Sequence, residues 1–138
     1  HFLDGNLSLE TGEDENVEGH LCKTLVAMRR PGHGLSGEDR YLLFIDAENH
    51  LVRRIRFTME GLKSTQGAIA EVDFFDHRKI AGVTWPTRFH ERLRKPIPNL
   101  PVHDWRLIGL DINRGLKAAD IAGPNFSARA AEAARRID

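Results

Sequence analysis

The sequence predicts a mainly β protein with minor α content: a curved antiparallel sheet, forming an open half-barrel, with a short C-terminal helix. Three observations lead to this prediction. Short segments that alternate apolar and polar residues recur along the chain. Turns rich in glycine, aspartate and asparagine separate these segments. One segment near the end, residues 128–136, has the alanine-rich composition of a helix.

The clearest predicted element is a hairpin in the first half of the chain. An apolar run at residues 41–45 meets a polar turn at residues 46–50, and residues 51–58 then mix apolar side chains with arginines. Two such runs around a short polar turn are typical of paired antiparallel strands. This hairpin is therefore the starting point of the predicted sheet.

The remaining elements follow the same pattern. Four further strands are predicted, at residues 21–28, 68–75, 83–93 and 104–112. Pro86 marks an edge or a bulge, because proline has no N–H to donate. Residues 95–101 contain three prolines and predict an extended connector. Residues 1–19 are rich in acidic side chains, and the cluster at residues 11–16 is predicted to be a solvated loop. Ser127 is expected to cap the helix at residues 128–136.

Composition is typical of a soluble globular domain. The 138 residues are 41% hydrophobic and 29% charged, and the basic and acidic side chains cancel to a net charge of +0. One domain with its own core is expected at this length. A net charge of zero argues against nucleic acid as a partner, because binding to nucleic acid depends on a basic surface. No apolar run is long enough for a transmembrane segment.

Alternation within two strands predicts which side of the sheet carries charge. Glu71 and Asp73 alternate with apolar residues in the segment 68–75, and Arg54 and Arg56 do the same in the segment 51–58. If these strands pair, the arginines face the carboxylates on a solvated outer surface, where each pair contributes roughly 0.2–1 kcal/mol. On this interpretation Arg54→Gln has little effect.

The opposite face is apolar and must be shielded from water. The single predicted helix, at residues 128–136, is too short to cover it. A curved sheet would leave a concave apolar interior there, and we expect this interior to bind a ligand. The alternative is that each side chain is ordinary core packing. The predicted cleft residues are Leu25, Leu43, Ile45, Ile55, Phe57, Val72, Phe74, Trp85, Phe89, Trp105 and Leu107.

Motifs that would carry chemistry are incomplete. Gly32, Gly34 and Gly37 have the spacing of a dinucleotide-binding loop, but a predicted strand follows where that loop needs a helix. The seven histidines lack metal-ligand spacing. The sequence therefore predicts no catalytic residue, no metal site and no cofactor, and the protein is not expected to be an enzyme. The single cysteine, Cys22, is expected to be a small buried hydrophobe.

Two parts of the chain resemble the periplasmic outer-membrane lipoprotein-carrier-like superfamily. In the first, a strand ends in the Phe-Ile-Asp of residues 44–46 and the next begins with the Leu-Val-Arg-Arg of residues 51–54. In the second, a turn with Gly82 leads to the Trp-Pro-Thr-Arg-Phe of residues 85–89. The resemblance covers about residues 20–112. It implies an open half-barrel that wraps over helices and holds acyl chains in an apolar cavity.

The resemblance also implies a biological setting. Residues 1–138 are expected to form a single domain that is the C-terminal part of a larger carrier-like domain. The expected location is periplasmic or otherwise exported, with the signal segment outside this chain. The first functional hypothesis is a non-enzymatic protein that binds a lipid, an acyl chain or another hydrophobic group. The alternative is a protein–protein interaction module that uses a sheet edge or groove. A hydrolase is a third hypothesis, and the sequence offers no polar trio for it.

Overall fold

The computed structural model describes residues 7–29, 39–60, 63–115, 117 and 135–136. Within these ranges the chain forms strands and no helix. The strands are β1 Leu7–Thr11, β2 Glu15–Val17, β3 His20–Arg29, β4 Arg40–Asp46, β5 Val52–Thr58, β6 Ile69–Phe75, β7 Arg78–Ile80, β8 Val83–Trp85, β9 Arg88–Lys95, β10 Leu100–Arg106, β11 Gly109–Leu110 and β12 Arg135–Arg136.

Eight of these strands form one sheet, in the order β1-β3-β4-β5-β6-β9-β10, with β2 also paired to β3. Every pairing in it is antiparallel. The sheet is not closed among the described residues: β1 and β2 lie at one edge and β10 at the other. The strands β7 and β8 form a separate hairpin, and β11 pairs with β12. The predicted mainly β, antiparallel class is confirmed.

Three predicted elements differ from the structure. The loop predicted at residues 11–16 is shorter in the structure: β1 ends at Thr11 and β2 begins at Glu15, because an edge strand tolerates charged side chains that a central strand does not. The strand predicted at residues 83–93 is split into β8 and β9 around Pro86. The strand predicted at residues 104–112 begins earlier, as β10, directly after the proline-rich turn.

The predicted C-terminal helix lies outside the described residues, except for its last two. Those two, Arg135 and Arg136, form β12 and pair with Leu110 and Gly109. The structure therefore does not support a helix that extends to residue 136.

Bulges interrupt the main sheet at three places; at Val102 on β10 the extra residue is apolar, and at the other two it is an arginine. Phe44 opposes Arg54 and Ile45 opposes Val52, so Arg53 is an extra residue on β5. A bulge of this kind places two residues opposite one and re-aims the extra side chain. Between β6 and β9, Ala70 opposes Leu93 and Ile69 opposes Lys95, which makes Arg94 the extra residue. The β4–β5 and β6–β9 bulges thus each add one arginine to the sheet.

Register assigns the side chains to two faces, because directly opposed residues of an antiparallel pair project to the same side. We call one side the charged face; it comprises Cys22, Phe44, Asp46, Arg54, Arg56, Glu71, Asp73 and Arg92. We call the other side the apolar face; it comprises Leu25, Leu43, Ile45, Ile55, Phe57, Val72, Phe74, Phe89 and Trp105, among others.

The largest of the fully buried side chains lie on the charged face. They are Phe44, Glu71, Asp46, Asp73 and Cys22. Cys22 packs with Val17 and Phe44 in the hydrophobic cluster of this face, so its predicted role as a buried hydrophobe is confirmed. The prediction that the charged face is a solvated surface was wrong: Glu71 is 0% exposed and Asp73 is 1% exposed.

One long-range contact shows why this face is buried. Nη1 of Arg56 lies 3.9 Å from Oε1 of Glu15, although β2 and β5 are separated by two intervening strands. On a flat sheet their Cα atoms would be roughly 19 Å apart, from the strand spacing and the rise per residue. The β2 edge therefore curls over the charged face and shields it from water.

Candidate functional site

The charged face is organised around two buried carboxylates. Glu71 accepts hydrogen bonds from Nε of Arg56 at 3.0 Å and from Nε of Arg92 at 2.9 Å. Asp73 forms an ion pair with Arg54, and Nη1 of Arg92 lies 2.7 Å from its Oδ2. Arg92 thus bridges both carboxylates, and three strands are joined through side chains as well as through the backbone.

An aromatic ring lies beneath two of these arginines. The guanidinium carbons of Arg56 and Arg54 are 5.0 and 5.8 Å from the centroid of the Phe44 ring. Such cation–π contacts are favourable when the cation is partly desolvated. The arginines therefore stack on an aromatic side chain while their N–H groups bind the carboxylates.

Electrostatics keep the carboxylate of Glu71 ionised. Burial alone would raise its pKa, but Arg54, Arg56 and Arg92 outweigh burial and lower the pKa below its ordinary value. Burial would lower the pKa of Arg54, and Asp73 together with Glu71 raises it instead. Groups held this firmly in their charged forms are poor proton donors and acceptors near neutral pH. The cluster is suited to holding strands together rather than to acid–base chemistry.

A third buried carboxylate, that of Asp46, holds the β4–β5 turn in place. Oδ1 of Asp46 accepts hydrogen bonds from the backbone N–H groups of Glu48 at 2.9 Å and Asn49 at 3.3 Å. Oδ2 accepts from Nε and Nη2 of Arg53 at 2.9 and 2.7 Å, and Nδ1 of His20 lies 3.0 Å away. Burial would raise the pKa of Asp46, but these hydrogen bonds lower it to about 2. The bulge at Arg53 is what brings its guanidinium to this carboxylate.

A shallow depression of about 320 Å³ lies beside this turn. Its lining residues are Gly19, His20, Leu21, Asp46, Ala47 and Glu48. None of the predicted cleft residues is among them. The depression is therefore distinct from the apolar surface that the sequence predicted as a site.

Nine of the eleven predicted cleft residues share the apolar face. Leu25, Leu43, Ile55 and Val72 form one row across four neighbouring strands. Phe74, Phe89 and Trp105 form an aromatic row across β6, β9 and β10. Ile45 and Phe57 also lie on this face.

Aromatic contacts order this surface. The rings of Phe74 and Phe89 meet edge to face, with centroids 5.6 Å apart. Phe57 stacks on Tyr41 of the neighbouring strand at 6.3 Å. These cross-strand pairs fix the register of the apolar face.

The other two predicted residues lie elsewhere. Trp85 is in β8, which belongs to the separate β7–β8 hairpin. Leu107 follows β10, and its backbone N–H donates to the carbonyl oxygen of Thr87 at 2.8 Å. Both residues were placed on the apolar face because they belonged to predicted strands whose ends differ from those in the structure. The side of the sheet predicted for them was therefore wrong.

The apolar face is more open to solvent than the charged face. Its large side chains are half-buried rather than buried, and Trp105 is 44% exposed and Leu9 is 49% exposed. An accumulation of accessible apolar side chains on one side of a sheet is a feature of binding surfaces. This makes the apolar face the candidate functional site.

Sequence reasoning missed two polar residues on this face. Glu91 opposes Val72 on one side and His103 on the other. Nδ1 of His103 lies 2.6 Å from Oε2 of Glu91. A signal was present, since Glu91 interrupts the apolar alternation between Phe89 and Leu93. The misplaced start of β10 hid the fact that His103 would lie opposite.

Comparison with known proteins defines the fold but not the function. The structure is similar to the crystal structure of a DUF1329 family protein from Desulfovibrio piger, with a TM-score of 0.56 and 16% sequence identity. The match covers 85% of this chain and 45% of that one, so the chain spans less than half the length of that protein. At this identity the similarity concerns the fold alone. The sequence matches no protein-family model and no curated protein.

Together these observations define the class as an open, antiparallel β-sheet protein with a DUF1329-like fold and one accessible apolar face. No helix among the described residues is long and apolar enough to cross a membrane.

Proposed function

We propose that this protein is a non-enzymatic, exported, lipoprotein-carrier-like protein that holds a lipid or another hydrophobic group against its apolar face. The observation that carries the proposal is the convergence of nine predicted residues on one half-buried face of an open sheet. The resemblance of residues 41–58 and 75–89 to carrier proteins supports the half-barrel architecture and the exported location.

The contrast between the two faces supports this choice. The charged face is closed by its own ion pairs and by the β2 edge. The apolar face keeps large side chains half-buried, and covering the rest of one Leu, Val or Phe side chain yields about 1 kcal/mol, roughly half the value for full burial. A ligand that covers several members of the Leu25–Val72 row would therefore bind with useful affinity even after the cost of ordering it.

Binding of an apolar probe tests the proposal directly. The protein is titrated with a hydrophobic naphthylamine dye, and the purified protein is examined for bound lipid by native mass spectrometry and lipid extraction. We expect saturable dye binding and co-purified acyl species. Ile55→Asn should weaken dye binding roughly tenfold, from the loss of about 1.4 kcal/mol.

The matched control is Val83→Asn. Val83 is 49% exposed in the β7–β8 hairpin, outside the apolar face. This control should bind the dye as the unmodified protein does. Absence of saturable binding by the unmodified protein, or equal binding by both folded variants, would contradict the proposal.

A second candidate is a protein–protein interaction module that uses a sheet edge. All seven residues of β10 are exposed, and Leu100, Val102 and Trp105 present apolar side chains at 40%, 41% and 44% exposure. Strand addition at such an edge is a common mode of peptide recognition. Saturable capture of a partner that Val102→Lys abolishes, in a protein that binds no dye, would favour this candidate.

A further inference from the structure

The β9–β10 end of the apolar face carries a polar pair within otherwise apolar surroundings. Glu91 is 14% exposed and His103 is 55% exposed at the side chain, and Nδ1 of His103 lies 2.6 Å from Oε2 of Glu91. Val72 lies opposite Glu91 on β6. The imidazole stacks on Trp105 with ring centroids 4.9 Å apart and planes inclined by 20°. The stack holds the imidazole in place beside the carboxylate.

The chemistry of this pair follows from which atom holds the proton. An ionised carboxylate only accepts hydrogen bonds, so Nδ1 of His103 is the donor to Glu91. In the neutral ring Nε2 is then an acceptor. With the imidazole neutral, the pair offers the Nε2 lone pair and the carboxylate oxygens, which are all hydrogen-bond acceptors. Both groups favour a partner that donates hydrogen bonds.

Other charges on this face do not change that conclusion. Register also places Lys23 and Arg29, both on β3, on the apolar face, and Nζ of Lys23 bonds Asp14 at 2.6 Å. Lys23 lies on β3, four strands from Glu91 in the sheet order, or roughly 19 Å. The local potential at Glu91 is thus set by its own carboxylate, which disfavours an anionic group.

We propose that Glu91, His103 and Trp105 form the polar end of the binding surface and select amphiphiles whose head group donates hydrogen bonds, as hydroxyl and ammonium groups do. This inference rests on the proposed function, since the acyl chain would lie along the apolar face. A few placed polar groups at the end of an apolar surface are a common way to orient a ligand. Fatty acids and other anionic amphiphiles are discriminated against.

Three amphiphiles with the same twelve-carbon chain test the selection: monolaurin, dodecylamine and laurate. Each competes with the naphthylamine dye below its micelle concentration. We expect the unmodified protein to bind monolaurin and dodecylamine roughly tenfold tighter than laurate, because a hydrogen bond to a charged group is worth about that factor. Glu91→Gln should remove the preference over laurate. Glu10→Gln, an exposed glutamate on β1, should keep it.

The outcomes separate this inference from the function on which it rests. If the unmodified protein binds none of the three amphiphiles and no dye, both fail. If it binds all three equally, or laurate most tightly, the head-group selection fails while the carrier function stands. The ranking in the unmodified protein decides the matter even if Glu91→Gln does not fold. Where that variant folds, an unchanged preference also overturns the assignment of Glu91.

Discussion

Arg54 and Asp73 occupy opposed positions on β5 and β6, and their side chains form an ion pair in which the carboxylate is 1% exposed. Alternation along the two strands predicts this pairing, but it does not predict the burial. Breaking a buried pair leaves an uncompensated charge, which costs far more than losing a solvated pair. The stability of the sheet therefore depends on this contact.

The first prediction concerns Arg54. Arg54→Gln should lower the free energy of unfolding by about 1–3 kcal/mol, since Asp73 loses a charged donor but keeps Arg92. This replaces the expectation that the change has little effect. Urea unfolding followed by circular dichroism measures the difference. Arg40→Gln, at an exposed position of β4, is the matched control and should cost much less. Equal costs for the two variants would show that the charged face is solvated after all.

The second prediction concerns acid stability. The folded-state pKa of Asp46 is about 2, below its ordinary value of 3.8. Its contribution to stability is therefore complete above the ordinary value and is lost as the pH falls through the folded value. Glu71, whose pKa is also lowered, acts in the same direction. The free energy of unfolding should fall steeply between about pH 4 and about pH 2.

A variant isolates the part of this effect that Asp46 supplies. Asp46→Asn should be less stable than the unmodified protein at neutral pH, because Arg53 loses a charged partner. It should also lose less stability on acidification over the same interval. Urea midpoints measured across the pH series give both quantities. Parallel curves for the two proteins would rule out Asp46 as a source of the acid sensitivity.

The third prediction concerns the apolar face. Phe57 stacks on Tyr41 and opposes Ala70, which is 0% exposed. Phe57→Asp places a charge among these groups and should cost about 2–4 kcal/mol, or prevent folding. Val83→Asp introduces the same charge at an exposed position and should be tolerated. The soluble fraction and the urea midpoint report the difference, and similar behaviour of both variants would refute the face assignment.

The fourth prediction concerns Cys22. Burial raises the pKa of its thiol, and the negative charge of Asp46 raises it further. A buried thiol with a raised pKa reacts slowly, since the thiolate is the nucleophile. Iodoacetamide should modify Cys22 in urea but not in the folded protein, as mass spectrometry of the intact chain will show. Rapid modification of the folded protein would mean that the β2 edge opens readily.

Much of the sheet follows from periodicity alone. The four central strands and their opposed charges could be predicted because alternation is regular from Ala70 to Phe74 and from Arg54 to Phe57. Alternation fails at Val52 and Arg53, where the structure has a bulge. A single sequence does not reliably show where a bulge lies. The contact between the Arg53 side chain and Asp46 therefore could not be predicted.

The choice of the buried face could not be predicted either. Polar residues are usually exposed, so a segment that contains Glu71 and Asp73 predicts a solvated face. The burial of Glu71 depends on the arginines that surround it in the folded sheet and compensate its charge, and a single sequence does not reveal that arrangement. The curl of β2 depends on contacts between strands that are not sequence neighbours, such as Arg56 with Glu15. Short edge strands whose residues are largely polar, such as β2, resemble loops until their pairing is known.

The ion-pair layer around Glu71 and Asp73 gives the fold a particular response to heat. The free-energy cost of desolvating charged groups falls as temperature rises, whereas the hydrophobic stabilisation per unit of buried apolar area levels off. Side-chain bonds that join β5, β6 and β9 therefore keep their strength on warming better than the packing of the outer strands does. On heating, the central strands β5, β6 and β9 should be the last part of this molecule to unfold.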